Sequence, residues 1–261
     1  MMELENYHAF HFVGLGGVGM CALARILIEK GITVSGSDVS DSAVLQELRN
    51  KGAAVFIGHK RENINNADVL VVSSAIGIDN PELQEAKSRD LPIFHRSDVL
   101  AAIFKWGKGI AVAGAHGKST TSAMIGQIFH VAKMDPTIVL GGFTDYLKGN
   151  SCLGHGEHII AEADESDGSF LKFATFLSVV TNIEDDHLDH YGTVENIRKA
   201  FVEFLNHVTY KDGGAIVCID SEGVQAILPQ IKKKVISFGI NDSAEYRAVN
   251  KRYEKQNMLF D

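Results

Sequence analysis

Lys118, Ser119 and Thr120 stand directly behind Gly114-Ala115-His116-Gly117, and this run of residue types is suited to holding phosphate. Glycines let backbone N–H groups approach phosphate oxygens, and a helix beginning here directs its positive end at them. Lys118 adds a charge, and the Ser119 hydroxyl can hold a nucleotide-bound magnesium ion. The general phosphate-loop spacing, G-x-x-x-x-G-K-[ST], wants glycine where Val112 stands, so the signal is a shortened G-x-x-G-K-S-T. A glycine-rich helix cap could carry the same letters. The setting favours phosphate: an apolar run, Ile110 to Ala113, precedes the loop, and Met124, Ile125, Ile128, Phe129 and Ala132 follow at helical spacing.

A second glycine loop lies near the start, Gly14-Leu15-Gly16-Gly17-Val18-Gly19, after the apolar run 8–13 and before a helical pattern of Met20, Leu23, Ala24 and Leu27. This is G-x-G-x-x-G in a strand-to-helix setting, with Asp38 about twenty residues on, where dinucleotide folds hold a ribose hydroxyl. Alone it would suggest NAD. Two acidic clusters follow apolar runs later on: Glu162-Ala163-Asp164-Glu165-Ser166-Asp167 and Glu184-Asp185-Asp186-His187-Leu188-Asp189-His190. If their strands run parallel to the phosphate-loop strand, all three ends converge on one site. Magnesium prefers oxygen ligands, so Glu162 or Asp164 could supply a carboxylate, and His187 could bind a second ion or contact the transferring phosphoryl group. Solvated loops would also be acidic, and His116 reads equally as a ligand-facing side chain or a turn residue.

These residues need strand ends to hold them, and the chain supplies strands alternating with helices. Runs at 8–13, 32–35, 53–57, 68–73 and 92–94 read as strands, with helices at 43–50, from Asn80-Pro81 to about 89, and from a Ser97 cap to about 105. That makes 1–106 a Rossmann-like parallel α/β domain. Residues 107–261 form a second, phosphate-loop α/β domain. Its strands fall at 137–140, 158–161, 177–182, 215–219 and 235–238, its helices at 194–208 and 221–229, and 148–157 is a glycine-rich loop. Residues 258–261 read as the start of a further strand, so the second domain is expected to be truncated.

Composition narrows the class. With 261 residues, 45% hydrophobic and 22% charged, the chain can bury two ordinary cores. No apolar run is long enough to span a membrane and the N-terminus lacks a signal-peptide pattern, so a cytoplasmic protein is expected. A net charge of -8, with Lys232-Lys233-Lys234 read as a solvated turn, offers no nucleic-acid footprint. Cys21, Cys152 and Cys218 are too scattered for a disulfide framework or a thiolate zinc site.

In order along the chain, HFVGLGGVGM, VSGSD, VVSSAI-x-x-DNPE, GIAVAGAHGKSTT, AEADESDGSF and VVTNIEDDHLDHYG closely resemble the Mur ligases, and the likeness covers essentially the whole sequence. The resemblance implies an ATP-dependent peptide-bond-forming enzyme of peptidoglycan precursor synthesis, with UDP-N-acetylmuramate and L-alanine as substrates and an acyl-phosphate intermediate. By the same resemblance Gly14, Gly16, Gly17, Val18 and Gly19, with Asp38, Ser73 and Ser74, face the UDP-sugar. Gly114 to Thr120 hold ATP, Lys118 contacts the β- and γ-phosphates, and Ser119, Glu162 and His187 match magnesium positions.

Three features depart from the family pattern. Ala115 and Ser119 each replace a usual threonine, and no lysine can be assigned to the modified-lysine role that some members use. The family's C-terminal domain, which closes over ATP, is expected to be absent here or supplied elsewhere, leaving the chain by itself a poor or inactive ligase. Rival readings are an NAD-dependent oxidoreductase, a metal-dependent phosphohydrolase resting on Asp185, Asp186 and His187, and a non-catalytic remnant that binds UDP-sugar or ATP.

Overall fold

The computed structural model describes residues 2–255 and 257–261. In chain order the first elements are β1 (Ala9–Val13), α1 (Val18–Glu29), β2 (Thr33–Asp38), α2 (Ala43–Asn50), β3 (Ala54–Ile57), β4 (Val69–Val72), α3 (Pro81–Ser88), β5 (Ile93–His95) and α4 (Arg96–Ile103). The strands form one five-stranded sheet in the order β3-β2-β1-β4-β5, and every pair is parallel. The order reverses beside β1, so the ends of β1 and β4 open a crevice where such sheets take ligands.

The next elements are β6 (Lys108–Ala113), α5 (Lys118–Val131), β7 (Thr137–Thr144), β8 (Gly149–Cys152), β9 (His158–Glu162), β10 (Leu177–Val180), α6 (Leu188–Tyr191), α7 (Val194–Asn206) and β11 (Gly214–Cys218). The last are α8 (Glu222–Ile227), β12 (Val235–Gly239), β13 (Tyr246–Arg247), β14 (Arg252–Glu254) and β15 (Asn257–Leu259). Two compact units result: the stretch ending at Gly107 with Ala123–Ile160, and Lys108–Ser122 with Ala161–Asp261. The division passes through α5 and β9. In the second unit β13-β12-β11-β10-β6 lie side by side, all parallel.

Most elements follow from local chemistry. The Met20, Leu23, Ala24 and Leu27 face of α1 is buried, as its spacing predicts. Asn80 caps α3 by accepting from the Glu82 and Leu83 amides, with Pro81 at the first helical position. Three expectations need correction. The cap of α4 is His95, whose ring accepts from Ser97 N while Asp98 closes a capping box, so Ser97 is the second helical residue and not the cap. The loop expected at 148–157 contains β8, antiparallel to β7.

The strand expected to start near Met258 is present as β15, antiparallel to β14. On α5, Met124 and Ile128 are exposed, whereas Ser122 is buried and a Cβ at Gly126 would sit 3.0 Å from Ile138 Cδ1. The missing side chain at Gly126 allows close approach to β7, with Ile125 and Phe129 half-buried beside it and Phe129 edge-on to His158.

Two polar clusters are built into the first unit. Arg25, 5% exposed, donates through Nε and Nη2 to both Glu47 oxygens at 2.8 Å. Through Nη1 it donates to Asn150 Oδ1 at 2.5 Å, tying α1 to β8. Ser151 Oγ adds a 3.0 Å bond to Ala22 O. Glu82 is fully buried and accepts from Ser37 Oγ at 2.5 Å and Asn63 Nδ2 at 2.6 Å, with His59 Nδ1 at 3.3 Å and His11 Nε2 at 3.7 Å.

Burial pushes the Glu82 carboxyl up, but contacts from His11, Ser37 and Asn63 outweigh it and hold the group below its ordinary 4.5. A depressed folded value contributes stability above pH 4.5 that is lost as pH falls through the folded value. Glu82→Gln is expected to flatten this acid limb of the stability curve, read by thermal melts across the acid range. An unchanged limb would contradict the assignment.

The three cysteines are unpaired thiols. Burial raises all three, most of all Cys152, pushed up to about 11. At pH 8 only about one Cys152 thiol in a thousand is then ionised. Iodoacetamide is expected to leave Cys152 unmodified in the folded chain and to modify it in denaturant. Rapid labelling of the folded chain would refute this.

Candidate functional site

The phosphate loop turns out of β6 with two glycines in the left-handed region, Gly114 at φ +135° and Gly117 at φ +84°. At Gly114 a Cβ would stand 2.2 Å from Thr181 Oγ1, so this position excludes any side chain. The loop is held from β10's outgoing chain. His116 N donates to Asn182 Oδ1 at 2.9 Å, while Thr181 Oγ1 and Asn182 Nδ2 donate to His116 O at 2.6 and 2.9 Å. The backbone of His116 is therefore an anchor. Its side chain is 71% exposed, with Nε2 3.5 Å from Glu184. Thr181 and Asn182 were not singled out by spacing; polar residues directly after a buried strand were the available signal.

Three strand ends do converge. Ser119, exposed on the first turn of α5, donates from Oγ to Glu162 Oε2 at 3.0 Å. Past β9, Ala163 N donates to Val112 O at 2.9 Å, which lays the first acidic cluster along β6. Asp164 is committed locally, its Oδ1 accepting from Ser166 N and Oγ at 3.1 and 2.6 Å. Glu165 is the residue that sequence reasoning left without a role. It is 3% exposed, and its Oε1 lies 2.7 Å from Lys118 Nζ and 3.6 Å from His187 Nε2.

Lys118 Nζ also donates to Gly114 O at 2.6 Å and, more weakly, to Ala115 O at 3.4 Å. Tyr191 OH donates to Glu165 O at 2.5 Å. Burial and the nearby Glu165, Asp167 and Asp164 charges push the Tyr191 phenol up to about 12, so it remains a donor. A small cavity beside this network is lined by Ala115, Glu165, Glu184, Asp186, His187 and Tyr191, among others. Thr120 is exposed on α5's outer turn.

Among the described residues no three His, Cys, Asp or Glu side chains form a ready metal cluster. The Ser119 hydroxyl and the Glu162 carboxylate nevertheless present adjacent oxygens beside a phosphate loop. That donor set fits magnesium, which takes one or two protein oxygens and fills its shell with phosphate oxygens and water.

In the first unit Gly14, Gly16, Gly17, Asp38 and Ser73 line one open cavity of about 400 Å³ together with Ser40 and Ser42. Gly14 N and Leu15 N donate to Ser37 O at 2.8 and 2.9 Å, and Gly16 N to Asp38 Oδ2 at 2.8 Å. Asp38 thus braces the glycine loop. Val18 is 52% exposed and Gly19 packs beside Arg96; neither they nor Ser74 line the cavity.

The description of the Mur ligase family catalytic domain matches residues 9–106, and that of the Mur ligase middle domain matches 112–261. A UDP-N-acetylmuramate–L-alanine ligase of Hydrogenobaculum sp. is 45% identical over 260 residues, 100% of this chain and 58% of that protein. Among solved structures, UDP-N-acetylmuramate-alanine ligase MurC of Thermotoga maritima is 28% identical with TM-score 0.82, covering 93% of this chain and 55% of that one. The UDP-N-acetylmuramate:L-alanyl-gamma-D-glutamyl-meso-diaminopimelate ligase of Neisseria meningitidis shares the fold at 22% identity and TM-score 0.86, covering 98% and 85%. The chain spans about half the length of the curated relatives it matches, 58% and 54% in the first two. No helix among the described residues is long and apolar enough to cross a membrane.

Proposed function

The chain belongs to the Mur ligase family, and from that premise we propose that it takes part in ATP-dependent ligation of L-alanine to UDP-N-acetylmuramate in peptidoglycan precursor synthesis. Residues 1–106 form the UDP-sugar domain in this reading and 107–261 the ATP domain. The observation that carries it is the convergence of Lys118, Ser119, Glu162, Glu165 and His187 on one phosphate loop. Relatives near 45% identity that carry this ligase name support the choice of substrates.

The chemistry follows from the charges. ATP passes its γ-phosphoryl group to the lactyl carboxylate, leaving ADP and an acyl phosphate; the amine of L-alanine then attacks the acyl carbon, and phosphate departs as the amide forms. Two anions must first approach each other. Lys118 and the loop N–H groups offset their repulsion and hold them in line. Magnesium, held by Ser119 and Glu162, would neutralise phosphate charge. His187, one face of the small cavity, is the side chain best placed to meet the transferring group. In the first unit the glycine-loop cavity takes the UDP pyrophosphate, with Asp38 fixing the loop and Ser73 on the rim.

Calorimetric titration with UDP-N-acetylmuramate, and with NADH in parallel, tests the reading. Saturable binding of the UDP-sugar alone is expected. Binding of NADH alone would return the first glycine loop to a dehydrogenase role.

A further inference from the structure

We propose that Glu165 is an exchange partner: its carboxylate holds the Lys118 ammonium until nucleotide phosphates take that ammonium, and then accepts a hydrogen bond from His187 instead. This rests on reading the loop as a nucleotide site.

An ammonium has three donors. Those of Lys118 point at Gly114 O, Ala115 O and Glu165 Oε1, so the side chain is folded back onto its own loop. To meet a phosphate it must give up at least one of these contacts. The two carbonyls are neutral and belong to the loop, whereas Glu165 is an anion competing with phosphate for the same cation. Its side chain is only 4% exposed, so solvent screens the pair weakly.

Release of Lys118 leaves that carboxylate buried without its counter-charge, which is costly unless another donor arrives. Glu165 Oε2 already has no hydrogen-bond partner among the described residues. The nearest replacement is His187, whose Nε2 lies 3.6 Å from the same Oε1, slightly beyond a hydrogen bond. A neutral imidazole with its proton on Nε2 suffices as the donor. Tyr191 pins the Glu165 carbonyl from one turn beyond His187, so side chains, and not the acidic segment's backbone, make the exchange. Nucleotide arrival at Lys118 is thereby reported to the His187–Tyr191 turn. Glu165 is a positioning residue here.

The test titrates the 261-residue chain and its Glu165→Gln variant with ATP and magnesium chloride, by calorimetry and by NMR of the His187 ring. Loss of the competing charge is expected to tighten ATP binding by about threefold or more. In the unsubstituted chain the His187 resonance is expected to shift on ATP addition, and in Glu165→Gln, where only the direct approach of phosphate to the ring remains, that shift is expected to be smaller. A merely structural glutamate would weaken binding or leave it unchanged, and either result overturns the exchange. A His187 shift that persists unchanged in the variant overturns it too.

Glu165→Asp, which keeps the charge but draws the carboxylate back from both Lys118 and His187, is the second variant should Glu165→Gln fail to fold. It is expected to tighten ATP binding and blunt the His187 shift, and unchanged behaviour on either count overturns the exchange. If the unsubstituted chain itself binds no ATP, the functional reading falls and the exchange falls with it.

Discussion

Lys118→Met is expected to weaken ATP binding by about a hundredfold, because charge-assisted bonds to two phosphates contribute on the order of 3 kcal/mol together. Calorimetry with ATP and magnesium checks it. The substitution has a second effect that must be separated from the first. Glu165 is 3% exposed and loses its cation, so the variant should also melt at lower temperature. Lys118→Met with Glu165→Gln is expected to recover much of the thermal stability while ATP binding stays weak. Recovery of ATP binding in the double variant would show that Lys118 acts only as the partner of Glu165, and the phosphate role would fall.

Gly114→Ala is expected to cost on the order of 3 kcal/mol of stability from positive φ and overpacking combined. The melting temperature should drop on the order of 10 °C. The new methyl would sit 2.2 Å from Thr181 Oγ1 and 2.9 Å from Asn182 O, with φ at +135°. Thr181 and Asn182 are the side chains that hold His116, so the clash also releases the loop proposed to bind phosphate. ATP affinity should fall even at temperatures where the variant is folded. Gly142→Ala is the matched control, since nothing lies within 4 Å of a Cβ there. Equal melting temperatures for the two variants would refute the packing argument.

Both glycine loops were legible in the sequence because their function is backbone geometry, and backbone geometry is written in residue type at fixed local spacing. A buried strand, glycines at positive φ and a helix start need only about twenty consecutive residues. The parallel α/β class was legible for the same reason, since strand and helix periods alternate locally. What periodicity could not resolve were short or solvent-facing elements. Strand β8 has the sequence Gly-Asn-Ser-Cys, which shows no apolar alternation; its antiparallel partner β7 and the bonds from Asn150 and Ser151 to α1 make it a strand. The buried seam of α5 is likewise a matter of what β7 allows near Gly126.

By itself, then, the sequence determined where the glycine turns between strand and helix occur, which family the chain resembles, and that the acidic clusters follow strands. Only the tertiary structure decided which acid meets which cation. Glu162, Asp164 and Glu165 are near neighbours of the same chemical type, and residue type alone does not rank them. Glu162, at the end of β9, accepts from Ser119, and the turn that follows closes Asp164 on Ser166 and buries Glu165 against Lys118 and His187. Asp38 shows the same limit: its spacing suggested a ribose contact, and the fold sets its carboxylate on the Gly16 amide. Charge pairing depends on distances across strands that are far apart in the chain, so it appears only when the sheet is assembled.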